Sequence, residues 1–96
     1  MIGLQVKSQL WLALKRRLSW AMYGMKKPES HQLLGKNVCR LRVARGLTQE
    51  QLVEKADISR TYLQNIEAGQ KNPTINVITR LKKALKCSWE ELLQDL

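Results

Sequence analysis

Apolar residues recur every third or fourth position along most of this chain, and nowhere do apolar and polar positions alternate over a strand's length. That period belongs to helices with one buried face. From Leu33 onward the stripes are short and punctuated. Leu34, Val38 and Leu41 mark a first helix, and Gly46 suits its C-terminal stop. Thr48-Gln49-Glu50-Gln51 is a capping box, in which the Thr48 hydroxyl takes the Gln51 N–H and the Gln51 side chain reaches back. It predicts a second helix ending near Ala56, followed by a tight corner at Asp57-Ile58. Ser59 then caps a third helix with Leu63 and Ile66 inward and Gly69 at its end. After the loop Gln70-Lys71-Asn72-Pro73, Thr74 caps a fourth helix carrying Ile78, Leu81 and Leu85. Ser88-Trp89-Glu90-Glu91 is a second capping box and opens a final short helix with Leu92 and Leu93. The expected class is all-α.

A separate stripe precedes these. Trp11, Leu14, Leu18, Met22 and Met25 predict an amphipathic helix over residues 4–25, with Lys15, Arg16, Ser19 and Lys26 largely elsewhere around it. Pro28-Glu29-Ser30 breaks the pattern, as a linker or as the cap of the next helix. The chain therefore divides into a basic amphipathic segment, residues 1–28, and a helical domain, residues 29–96. At 96 residues there is room for one modest core, of a size that a partner subunit often supplements.

Charge narrows the choice of partners. Seventeen Lys and Arg against eight Asp and Glu give +9. Residues 1–28 hold six bases and no acid, and the remainder holds eleven bases and eight acids, net +3. Such a surplus favours nucleic acid first and an anionic membrane surface second. The longest apolar run, Leu10 to Leu14, is short for a membrane span or a signal peptide. Cys39, Cys87 and His31 match no metal-ligand spacing, so no metal or cofactor is expected, and two distant cysteines suit a reducing, cytoplasmic compartment. No Ser/His/Asp set, glycine-rich phosphate loop or paired carboxylates beside a His is present, which argues against an enzyme. His31 reads as a solvated linker residue.

Leu34-Gly35, Leu41-Arg42, Arg45-Gly46-Leu47-Thr48-Gln49, Ser59-Arg60-Thr61-Tyr62-Leu63, Ile66-Glu67-Ala68-Gly69 and Asn72-Pro73-Thr74 follow one family's pattern in order and without gaps. Over roughly residues 33–93 the chain resembles the Cro and phage-repressor type of helix-turn-helix protein, also called the xenobiotic-response-element type. The resemblance implies a five-helix, lambda-repressor-like DNA-binding domain whose second and third helices, residues 48–67, form the reading unit. It also implies a transcriptional regulator, dimeric on a partly palindromic operator of double-stranded DNA. Proteins of this shape also serve as antitoxins and as restriction-modification controllers, so a module that grips a protein partner while regulating its own operon is the alternative.

The residues agree with that resemblance. A helix entering the major groove offers polar or basic side chains from its first turns. Arg60, Thr61, Gln64 and Asn65 lie opposite Leu63 and Ile66 and carry the groups that pair with guanine or adenine. A merely solvated helix face has the same look. For the DNA backbone, Gln49 resembles the family's glutamine at the N-terminus of the second helix, where free N–H groups favour an anion. Thr48, Ser59, Tyr62, Lys71 and Asn72 complete the backbone set, although Lys71 also suits a plain loop lysine. In the family an Arg of the first helix pairs with the Glu closing the third, and Arg42 and Glu67 match both positions. Arg42 at a phosphate is the competing reading.

The chain departs from the family at three places. Asp57 stands where Gly is usual and a positive φ is wanted; Asp tolerates that region better than most residues. Val53 replaces a small Ala. Lys86 takes the usual C-cap Gly, and Cys87 takes a core Val and is expected to be a small buried hydrophobe. For residues 4–25 the stripe suits packing on the domain, a dimer contact, a protein partner or an anionic membrane. Met22 or Met25 as the true start is a further alternative.

Overall fold

A computed structural model describes residues 28–96. The stripe over residues 4–25, with its membrane, partner and dimer readings, lies outside the described residues. Five helices follow in chain order: α1 (Ser30–Ala44), α2 (Gln49–Ala56), α3 (Arg60–Glu67), α4 (Ile75–Leu85) and α5 (Trp89–Leu92). Among the described residues there is no strand.

Each start has a local chemical cause. The hydroxyls of Thr48, Ser59, Thr74 and Ser88 accept the N–H three residues on, at 3.1 to 3.3 Å. Each thereby satisfies one of the donors a helix leaves unpaired at its N-terminus. Gln51 and Glu91 close their capping boxes by accepting the N–H of Thr48 and Ser88. That bond holds the Glu91 carboxyl below the usual carboxylate range. At the start of α1 the Gln32 side chain likewise accepts the Glu29 N–H, at 3.1 Å, so Pro28-Glu29-Ser30 is a cap rather than a linker. One expectation is corrected here. His31 lies in the first turn of α1, because the Glu29–Gln32 box starts the helix a turn before the apolar stripe.

Two ends turn through left-handed backbone at residues other than Gly. Asp57 closes α2 at φ 54°, and Lys86 closes α4 at φ 50°. These are two of the three departures from the family, and both keep the backbone that Gly would adopt there.

Leu41, Leu52, Leu63, Ile66, Leu81, Leu85, Leu92 and Val38 form the buried centre, with Leu34, Ala56 and Cys87 around it. Burying one Leu or Ile is worth about 1.5–3 kcal/mol, against about 0–1 kcal/mol for a surface ion pair, so this core holds the helices together. Val53, Ile58, Tyr62, Val77 and Ile78 pack half-buried on its edge. Cys87 packs as a small hydrophobe, and burial pushes its thiol up. Leu93, by contrast, stays exposed.

Three contacts set where the helices sit. At Gly35 the backbone of α1 runs against the end of α3: an added Cβ would collide with the Ile66 carbonyl oxygen and lie 3.3 Å from that of Glu67. Asn37, buried on the apolar side of α1, donates its amide to the carbonyls of Leu92 and Gln94 at 2.9 and 2.8 Å and so clasps the C-terminal turn. Arg45 reaches the C-terminal carbonyl of Leu85 at 2.7 Å.

Candidate nucleic-acid interface

The geometry of this site starts from α3. Leu63 and Ile66 are fully buried, which fixes the rotation of an eight-residue helix about its own axis. The opposite side then has to face outward. Arg60, Thr61 and Gln64 are exposed there, and Asn65 is half-buried at the edge, its backbone carbonyl accepting the Gln70 N–H at 2.9 Å. The four residues expected to read bases thus share one helix surface.

The residues expected at the DNA backbone divide. Lys71 and Asn72 are exposed in the loop after α3, anchored by the buried Pro73. Thr48 and Ser59 are exposed, and their hydroxyls already cap α2 and α3. Tyr62 is half-buried against the core. Gln49 is half-buried at the start of α2, with its Nε2 donating to Glu67 Oε1 at 3.2 Å, so it also braces α2 against α3.

Arg42 and Glu67 form a closed unit beneath this surface. Nε donates to Oε2 at 2.8 Å and Nη2 to Oε1 at 3.1 Å, while Nη1 donates to the Leu47 carbonyl at 2.9 Å. The Glu67 hydrogen bond raises the guanidinium further above its ordinary range. The side chains are 15% and 8% exposed, so the pair is a brace inside the domain and not a free cation at the surface.

A residue absent from the expected set joins it. Glu50, on the first turn of α2, accepts from Arg60 Nη1 at 2.8 Å. Together with Thr48, Gln49 and Arg42 the two line an open groove along the end of α1, the loop that follows it and the first turn of α2. Periodicity could not find this contact, because it depends on how the two helices cross. Among the described residues no group of three or more His, Cys, Asp or Glu is placed to hold a metal. Nor is any described helix long and apolar enough to cross a membrane.

Comparison with known proteins decides what this arrangement belongs to. The helix-turn-helix family model matches residues 40–92, from the last turns of α1 through α5. The chain belongs to the helix-turn-helix family. Within it, the chain is of the Cro and phage-repressor type. It is 38% identical over 65 residues to an HTH-type transcriptional regulator of Sinorhizobium fredii, covering 68% of this chain and 84% of that protein. The restriction-modification controller C.AhdI of Aeromonas hydrophila superposes with a TM-score of 0.62 at 34% identity, covering 65% of this chain and 94% of that one. C.Esp1396I, a restriction-modification controller solved as a tetramer with its natural 35-base-pair operator, superposes with a TM-score of 0.61 at 26% identity, covering 71% of this chain and 100% of that one. The matched region contains the helix-turn-helix pair α2 and α3 whole, together with the corner at Asp57.

Proposed function

We propose that this helix-turn-helix protein is a transcriptional regulator that binds a partly palindromic operator as a dimer, reading base edges with Arg60, Thr61, Gln64 and Asn65 of α3. The observation that carries the reading is the outward face of α3. Four side chains with base-pairing donors and acceptors stand on a helix whose rotation is fixed by two buried residues and whose end is braced by Arg42 and Glu67. Rigid placement matters because a bidentate pair with a base tolerates little error in the helix that offers it. Lys71 and Asn72 in the following loop, and the N-terminus of α2 at Thr48 and Gln49, are offered to the phosphates and set the register.

Support also comes from the controllers it resembles, one of which was solved on its operator. The positive balance of the chain, +9, suits the same partner. The protein is read as cytoplasmic, working on DNA without a cofactor.

The test is selection of bound duplexes from a random pool, followed by a salt titration on the best one. One sequence should emerge, and with roughly four to eight phosphates neutralised per dimer log K should fall against log salt with a slope of about −4 to −7. A slope near zero, or a pool with no preferred sequence, overturns the reading.

A further inference from the structure

The contact between α2 and α3 at the reading surface supports one step more, and that step rests on the reading of Arg60 just given. We infer that Glu50 is a positioning residue for Arg60, holding its guanidinium on the base-reading side and away from the phosphates. Glu50 Oε1 takes one N–H of Arg60 Nη1 at 2.8 Å across the two helices. The side chains are 55% exposed for Arg60 and 72% for Glu50. A pair that open to water adds little to folding, so its effect falls on where the guanidinium points.

An arginine has five N–H donors in a fixed planar fork. With Nη1 on Glu50, the edge formed by Nε and Nη2 remains for the two acceptors that guanine presents, O6 and N7. A long side chain held beforehand also loses less rotamer freedom on binding. The carboxylate acts in a second way. A negative charge beside the guanidinium repels phosphate, and it disfavours the contact a free arginine makes with any sequence. Both effects raise the ratio of specific to non-specific binding, and the second lowers overall affinity.

The experiment uses the full chain and two probes: the best duplex from the random pool, and the same duplex with the Arg60-dependent base pair changed. That pair is the one at which Arg60→Ala loses discrimination. Glu50→Gln should leave the thermal midpoint unchanged, tighten binding to the altered duplex and lower the affinity ratio about three- to fivefold, the scale of an exposed ion pair's coupling. In the Arg60→Ala background the same change should not move the ratio at all. If Glu50→Gln shifts both duplexes by one factor, Glu50 only repels the backbone and the inference is overturned. It is overturned too if Glu50→Gln changes the ratio equally without Arg60, since Glu50 would then touch a base itself. If Arg60→Ala loses discrimination at no position, the base-reading role of Arg60 falls first and this inference with it.

Discussion

Arg42 holds the Glu67 carboxylate by two hydrogen bonds, at 2.8 and 3.1 Å, and so ties the last turn of α1 to the last residue of the reading helix. Glu67 also accepts from Gln49 at the start of α2, so one buried carboxylate joins the three helices that form and support the site. Removing the arginine would strand that carboxylate. Arg42→Ala is therefore expected to destabilise the domain by about 3 kcal/mol, because an uncompensated buried charge costs more than the intact pair gains. Glu67→Gln keeps an acceptor for Arg42 and should cost clearly less. Urea unfolding measures both. A loss below about 1 kcal/mol for Arg42→Ala would place the pair with ordinary surface bridges.

The two faces of the site should separate in binding. Arg60→Ala and Asn65→Ala are each expected to cost about 1–3 kcal/mol on the selected duplex and to relax its sequence at one position. Lys71→Ala should weaken selected and random duplexes by the same factor and make the salt slope of the dimer about two units shallower, about one for each subunit. Fluorescence anisotropy on both duplexes checks this. An equal loss on both for Asn65→Ala would move Asn65 from the bases to the backbone.

How much of this was legible beforehand follows the range of each interaction. Thr48, Ser59, Thr74 and Ser88 were found as caps because each acts on a backbone N–H three residues away. The inward residues of α3 were found because helical period orders them within two turns. The resemblance brought in Arg42 with Glu67, 25 residues apart, which no local rule would pair. Asn37 gives no local signal, since its partners Leu92 and Gln94 lie 55 and 57 residues on and are reached only once α5 folds back on α1. Gly35 stood in the motif without its reason, which is the approach of a carbonyl from α3. Glu50 stands inside the Thr48–Gln51 capping box and carries no signal of its own along the chain. Its contact with Arg60 belongs to the angle between two helices and to nothing written along either one.

The left-handed residues offer a graded stability test. A left-handed backbone costs an ordinary residue about 1–2 kcal/mol, and Asp is one of the few that visits it readily. Lys86, at φ 50°, has no such exemption, whereas Asp57, at φ 54°, has. Lys86→Gly should stabilise by about 1 kcal/mol after the larger unfolded-state freedom of Gly is counted, raising the thermal midpoint by about 4–8 °C. Asp57→Gly should raise it by less. Calorimetry that ranks Asp57→Gly above Lys86→Gly would mean that the Asp57 side chain does nothing to favour its own turn.

The division at Pro28 can be tested by removing residues 1–28. Among the described residues the buried core runs from Leu34 to Leu92, and the first cap is built from Glu29 and Gln32. Residues 29–96 are therefore expected to unfold cooperatively and to select the same duplex as the full chain. Affinity for random sequence should still fall, because the removed segment holds six bases and no acid. Each phosphate contact it makes contributes about one unit to the salt slope, so a shallower slope with unchanged sequence preference is the expected pair of results. Light scattering then assigns the segment. A monomer from a dimeric parent gives it to assembly, and an unchanged dimer that no longer binds anionic liposomes gives it to a membrane surface. If the shortened chain fails to fold, the domain extends upstream of Pro28 and residues 1–28 supply part of its core.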